Sequence, residues 1–341
     1  MCGRFALRLA RNEIRQVPGH DEVNVDDWID EDEFIPRYNI APRTYAPVLR
    51  RRDVGDRPSD SPAQASSSAG PSQSQGHHAG AHYVLHSMKW GLVPHWSKFE
   101  DKTLNTTNAR SENLVEGGGM WASIKGKKRC AVVCQGYYEW LTKGKEKLPH
   151  FTKYREGKLM LLAGLYDCVV LEGQTQPLWT FTIVTTDANK EFSWLHDRQP
   201  VILSTRTALH AWLDTSKQGW TPELSQLVKP YGDTSNPLEC YQVPKEVGKV
   251  GTESASFIEP IANRKDGIQA MFSKQASKSS EKSPQSLQAP KAKASVKRSR
   301  SPSPLKIHDL TSQSPSRNKS KRDTDDGDSD VLDVPATPKK V

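Results

Sequence analysis

A chain of 341 residues with 48 Lys and Arg against 40 Asp and Glu has a formal net charge of +8, which suits a polyanionic partner. Only 35% of it is hydrophobic, with 23 Pro and 22 Gly, so part of the length is expected to stay outside any packed core. No apolar run is long enough to span a bilayer, no charged-then-apolar leader opens the chain, and five cysteines without paired spacing argue for free thiols in a reducing compartment.

In chain order, 26–33 is acidic and expected at the surface, and Arg37-Tyr38-Asn39-Ile40-Ala41-Pro42 reads as a short extended piece stopped by proline. Residues 53–82 are rich in Ser, Pro, Gly, Gln and Ala, the composition of a disordered insertion between two strands. A strand resumes at Tyr83 and runs to a proline turn at Pro94. The apolar run 129–134 reads as a buried strand. Cys130 and Cys134 lie four apart within it, but no second Cys/His pair matches, so both are expected to pack rather than bind metal. Segments 136–141 and 149–154 flank a Lys/Gly-rich turn, a hairpin pattern, and 159–170 with 178–186 form another strand pair. Asp187 can cap a short helix, Ser204 or Thr205 a second through Leu213, and Thr221-Pro222 opens a third. Segments 238–243 and 256–261 read as final strands. Strands dominate, mostly hairpin-linked, and the βαβ alternation of a parallel sheet is missing, so the class is α+β: one domain over 2–262 with a mostly antiparallel sheet and flanking helices. From 263 to 341 the composition turns to Ser, Lys, Pro, Asp and Gln, a disordered tail.

The chemistry starts at Met1-Cys2-Gly3-Arg4. An initiator methionine is normally removed ahead of a small side chain, which would leave Cys2 with an α-amine of pKa about 8 beside a thiol of about 8.5. Such a 1,2-aminothiol condenses with an aldehyde to an imine, and sulfur then closes a five-membered thiazolidine. Aldehyde capture also needs a proton shuttle. Glu139, between Tyr138 and Trp140 on a strand, sits where apolar neighbours raise a carboxyl pKa, and His196, in His196-Asp197-Arg198, is the second candidate. Asn105-Thr106-Thr107-Asn108-Ala109-Arg110 offers amide and guanidinium groups to sugar and phosphate oxygens. No glycine-rich phosphate loop and no HExxH motif is present.

Six segments, Met1-Cys2-Gly3-Arg4-Phe5, Arg37-Tyr38-Asn39-Ile40-Ala41-Pro42, Trp90-Gly91-Leu92-Val93-Pro94-His95-Trp96, Asn108-Ala109-Arg110-Ser111-Glu112, Gly136-Tyr137-Tyr138-Glu139-Trp140 and His196-Asp197-Arg198-Gln199-Pro200, resemble, in this order, the motifs of the SOS response-associated peptidase (SRAP) family. The resemblance covers 2–261 apart from the insertion. It implies a compact α+β domain built around a β-barrel-like sheet, with a positively charged channel leading single-stranded DNA to the N-terminus. The implied activity is a covalent thiazolidine crosslink to abasic sites that shields the lesion during replication, without cofactor or metal. Carried over by position, the nucleophile is Cys2, the proton-moving carboxylate Glu139, the histidine on the sugar oxygen His196 and the pocket asparagine Asn108. Phosphate-gripping arginines fall on Arg110 and Arg198, further contacts on Arg4 and Asn39, and apolar wedges against bases on Pro42, Trp96 and Leu104. Gln199 and Lys249 depart from the family's usual residues, Met or Arg and Asn. Burial near Arg110 and Arg198 would favour the neutral amine and the thiolate at Cys2. The family name also implies self-cleavage ahead of Cys2, and a Schiff base at an abasic site admits weak lyase activity.

Two other classes were weighed. A class II glutamine amidotransferase-like hydrolase also opens Cys-Gly but needs an Asn-Gly element, absent here; a non-covalent reader of modified DNA bases needs no terminal thiol. In the tail, Ile268, Met271 and Phe272 loosely resemble a sliding-clamp-binding box, and Val331, Leu332 and Val334 a SUMO-interacting strand. Basic clusters at 297–300 and 319–322 read as nuclear import signals, Ser-Pro pairs as phosphorylation sites, and the implied setting is a monomer on chromatin at replication forks.

Overall fold

The computed structural model describes residues 2–17, 20, 23–52 and 82–263. The insertion from 53 to 81 and the tail motifs at Ile268, Met271, Phe272, Val331, Leu332 and Val334 lie outside the described residues.

The apolar runs close on themselves. Strands β4 (Tyr45–Arg51), β5 (Tyr83–Trp90), β7 (Arg129–Cys134), β10 (Met160–Val169) and β11 (Leu178–Asp187) pair in the order β11-β10-β7-β4-β5, all antiparallel. A parallel contact of β11 with β5, Thr180 opposite Lys89 and Phe181 opposite Trp90, completes a five-stranded ring. β7 and β10 read as nearly continuous hydrophobic runs because neighbouring strands and helices cover both of their faces. Gly164 is needed in β10, since a Cβ there would lie 2.9 Å from the Thr182 carbonyl oxygen and 3.0 Å from Cys130 Sγ. Val48, Trp90, Val132, Leu162, Phe181 and Ile183 are among the fully buried residues, each worth about 1.5–3 kcal/mol of burial free energy. Trp90 stacks on Phe181 with ring centroids 6.2 Å apart.

Three short strands extend the ring: β2 (Val25–Ile29) runs parallel to β5, β6 (Asn108–Arg110) parallel to β11, and β12 (Arg198–Pro200) antiparallel to β11. A second sheet lies alongside, in the order β13 (Leu238–Gln242), β9 (Glu146–Tyr154), β8 (Gly136–Lys143), β1 (Arg4–Leu7) and β3 (Arg37–Ile40). Phe5 of β1 packs on Trp90, 5.1 Å between centroids, and locks this sheet to the barrel. The helices are short: α1 (Arg11–Arg15), α2 (Ser111–Glu116), α3 (Arg206–Leu213) and α4 (Pro222–Leu227). Thr205 and Thr221 cap α3 and α4 by accepting from the Ala208 and Leu224 N–H groups, and Trp212 of α3 donates its indole N–H to the Cys130 carbonyl at 2.8 Å. Among the described residues no helix is long and apolar enough to cross a membrane.

The α+β class with a barrel-like, mostly antiparallel sheet is what the sequence predicts. Three local expectations fail. The acidic stretch from 26 contains most of β2, because Trp28 buries its ring and donates to Ser87 Oγ at 3.0 Å while Asp26 and Asp27 point outward. No helix follows Asp187, whose carboxylate is taken by Arg198; 188–196 forms turns instead, with Asn189 Oδ1 accepting from the Phe192 N–H at 2.9 Å. Finally, Ala255–Ile258 is a 3-10 turn capped by Ser254 rather than a strand, because its one buried apolar anchor, Phe257, gives no two-residue alternation.

Candidate active site

Cys2 directly precedes β1, whose Arg4 and Phe5 face Tyr138 and Tyr137 of β8. That register brings Cys2 and Glu139 to the same end of the strand pair. Gly136 makes the pairing possible: a Cβ there would sit 2.5 Å from both Phe151 Cζ and the Thr152 carbonyl oxygen. Cys2 is fully buried. Its carbonyl accepts from Asn108 Nδ2 at 3.0 Å, so the first residue of β6 is tied to the start of β1. Asn108 Oδ1 is buried with no hydrogen-bond partner among the described residues. It is therefore a free acceptor at the site.

Glu139 is 4% exposed. Its Oε1 lies 4.0 Å from His196 Nε2 and accepts from the Trp140 N–H at 3.2 Å. His196 rides on the 188–197 turn, closed by the Ala188 N–H on the Asp197 carbonyl. Its Nδ1 accepts from the Arg198 N–H at 3.0 Å and lies 2.6 Å from Asp197 Oδ1. In the bond from Arg198, Nδ1 is the lone-pair nitrogen and Nε2 carries the proton facing Glu139. Burial pushes the Glu139 carboxyl above its ordinary range, partly offset by His196. The Cys2 thiol is also pushed up, first by burial and then by the Glu139 carboxylate. This reverses the expected thiolate: the predicted positive field is outweighed by the loss of water and by a nearby negative charge.

Arg198 departs from its expected role. Its guanidinium is buried and held by Glu112, by Asp187 Oδ1 at 2.7 Å and by the Thr185 carbonyl at 2.8 Å. Burial works against its charge, but these partners more than compensate and raise its pKa, and Glu112, hydrogen-bonded to Arg198, falls to about 2. Arg198 therefore braces the β11–β12 corner that carries His196, its terminal nitrogens occupied by the protein instead of phosphate. Asn39 departs likewise. It is buried, its Oδ1 accepting from Arg4 Nη1 at 2.9 Å and its Nδ2 shared among the carbonyls of Val247, Lys249 and Thr252. Arg4 also donates to the Val247 carbonyl at 3.1 Å. This pair clamps β1 and β3 to the 245–252 segment, so the expected nucleic-acid contact of Asn39 is spent inside the fold. Lys249 contributes its carbonyl to the same clamp, and Gln199 is buried, accepting from the Asn189 N–H.

Arg110, by contrast, is exposed. With Asn105, Asn108, Asn113, Gly118 and Trp121 it lines a cavity of about 270 Å³. Pro42 and Leu104 line a second hollow of about 250 Å³ together with Trp90 and Thr107. Trp96 is 55% exposed and packs edge-on against His95 at 4.7 Å. His95 is in turn anchored by its backbone N–H and Nδ1 on Asp167 Oδ2, at 2.8 and 2.9 Å. Burial opposes ionisation of Asp167, but Lys128 and His95 outweigh it and hold the carboxyl low. Trp96 thus projects from a loop pinned to the barrel.

Two residues that motif reading passed over stand beside Glu139. His150 is its Cα partner across β8 and β9, and Trp194 packs edge-on against His150 at 5.2 Å. The hairpin pattern held the signal for the first: once Lys143 faces Glu146, the ladder runs back to Glu139 and His150. Cys130 and Cys134 are core residues of β7, and among the described residues no group of three or more His, Cys, Asp or Glu could hold a metal ion.

The model of the SOS response associated peptidase family matches residues 1–250. The chain belongs to the SRAP family. Every site residue from Cys2 to His196 falls inside the matched stretch. The chain is 36% identical over 286 residues to the abasic site processing protein of Saccharomyces cerevisiae, covering 76% of this chain and 68% of that one. It is 28% identical over 286 residues to abasic site processing protein HMCES of Gallus gallus, with 76% and 78% covered. The match to abasic site processing protein YoqW of Bacillus subtilis is 30% over 261 residues, with 76% and 99% covered. The SRAP fold is also seen in the likeness to an X-ray structure of a protein from Bacteroides thetaiotaomicron: TM-score 0.57 at 20% identity, over 76% of this chain and 99% of that one.

Proposed function

We propose that this chain processes abasic sites in single-stranded DNA by forming a covalent thiazolidine crosslink through Cys2 as the mature N-terminal residue. The observation that carries the reading is the meeting, at one end of β1, of a buried Cys2, the Asn108 amide on its carbonyl and the Glu139–His196 pair. The names of the similar proteins supply the lesion.

In the proposed sequence His196 Nε2–H donates to the sugar ring oxygen as the ring opens. The Cys2 amine attacks C1′ of the aldehyde to give a carbinolamine, and loss of water leaves the imine. The thiol then adds to C1′: the C1′–S bond forms and the thiol proton passes by way of Glu139 to nitrogen. Because burial and Glu139 keep the thiol protonated, it reacts second, with Glu139 as its proton acceptor. Arg110 would meet phosphate, and Pro42, Trp96 and Leu104 would stack on or wedge against bases, an arrangement tolerant of sequence. The same cysteine with Glu139 and His196 would cut a peptide bond ahead of Cys2 in cis, and an imine that fails to close would give weak lyase activity. The basic clusters of the tail would direct the chain to the nucleus.

Denaturing gel electrophoresis with single-stranded DNA carrying one abasic site tests this. Wild type should give a shifted band. Cys2→Ala and a form retaining Met1 should give none while still binding single-stranded DNA in a salt-sensitive way. Efficient crosslinking by either variant would overturn the mechanism.

A further inference from the structure

His150 has no part in the chemistry described so far. It lies on β9 directly opposite Glu139, and residues facing each other in an antiparallel pair put their side chains on one face, with Cβ atoms about 5 Å apart. Its other cross-strand neighbour, Gln242 of β13, carries no charge. The ring is 7% exposed. Nδ1 lies 3.0 Å from the Leu148 carbonyl, an oxygen that can only accept, so Nδ1 carries the proton and Nε2 the lone pair. Trp194 packs edge-on over the ring, at 81° between planes, from the turn that also carries His196. Burial lowers the pKa of His150 and raises that of Glu139. The imidazole is thus inclined to stay neutral and the carboxyl to keep its proton. The other titratable groups around Glu139 are Cys2, Tyr137 and His196.

We propose that His150 is a positioning residue for Glu139, its Nε2 accepting a hydrogen bond from the carboxyl O–H across the hairpin. The bond holds Glu139 in its proton-donating form and leaves Oε1, the oxygen near His196, for the reacting groups. The inference rests on Glu139 being the acid–base group of the crosslinking reaction proposed above.

The test is the pH dependence of crosslinking to an abasic-site oligonucleotide, using the full chain. In His150→Phe, with melting temperature and single-stranded DNA affinity retained, the limb on which Glu139 loses its proton should move to lower pH by about half a pH unit or more. His150→Gln, whose amide can still accept, should recover part of the shift. A folded His150→Phe with an unmoved limb overturns the proposal, since loss of packing alone changes the rate without moving the limb. A second measurement needs no variant of His150. Ring ¹⁵N resonances of labelled wild type should show Nδ1 protonated and Nε2 hydrogen-bonded, with Nε2 responding to Glu139→Ala. An Nε2 that carries the proton, or ignores that change, overturns the proposal even if the His150 variants fail to fold. Wild type that forms no Cys2-dependent crosslink would instead sink the function proposed above, and the resonance measurement would still decide the pairing.

Discussion

The closed ring and the open sheet beside it handle buried polarity in opposite ways. In the ring, buried charge is matched. Arg50, fully buried on β4, lies between the rings of Tyr166 and Trp179, 5.6 and 5.4 Å from their centroids, and donates to His86 Nδ1. Asp167 accepts from Lys128, His95 and the Cys168 N–H. In the sheet, burial leaves groups poised for chemistry: a carboxyl pushed up at Glu139, an imidazole pushed down at His150, a thiol kept protonated at Cys2. The ring therefore supplies stability and the sheet spends some of it. Residues from the ring's rim, Asn108 and the His196 turn, complete the site.

The sharpest test of that division is Phe181→Ala. It removes a fully buried ring from the barrel and should cost about 3–5 kcal/mol of stability, read by denaturant unfolding. The crosslinking rate per folded molecule should hardly change; a specific loss of activity would mean that ring and site are not separable. Glu139→Gln should do the reverse. Crosslinking should slow by about 10²–10⁴-fold, while the melting temperature at neutral pH stays level or rises. A carboxyl whose folded pKa is raised destabilises the fold as pH rises through its ordinary value, and the amide removes that cost. A marked fall in melting temperature would break the comparison.

Trp96→Ala addresses the loop pinned to the ring. Affinity for single-stranded DNA should fall by about 1–3 kcal/mol with stability unchanged, as read by fluorescence anisotropy. Unchanged affinity would remove Trp96 from the proposed surface. The smallest effect concerns Glu112. Its folded value of about 2 lies below the ordinary 4.5, so its contribution is complete above the ordinary value and fades as pH falls toward 2. The carboxylate is 43% exposed, so solvent screening keeps the contribution below about 1 kcal/mol. Glu112→Gln should flatten the acid side of the stability profile between about pH 5 and pH 2; an unaltered profile would mean that Arg198 is held by Asp187 and Thr185 alone.

Much of the fold was legible along the chain. The runs 129–134, 159–170 and 178–186 carry their hydrophobicity locally, as do the proline opening α4 and the threonine capping α3, because propensity and capping act over a few residues. Segments whose fate depends on distant partners were not. Trp28 makes a strand of an acidic stretch only because β5 offers an edge and Ser87 an acceptor. Asp187 fails to cap because Arg198 claims it.

The same division runs through the site. Sequence by itself determined which reactive groups exist: a cysteine placed second, a glutamate set between aromatics, a histidine and an asparagine in loops rich in hydrogen-bonding groups. Side-chain chemistry and residue order are properties of the chain, and they sufficed for the family. Tertiary structure alone decided their states. It took Arg198 and Asn39 inward, protonated the thiol that a positive field was expected to ionise, and set His150 against Glu139. Dehydration and pairing are set by what packs around a group, and those neighbours come from strands far apart in the chain.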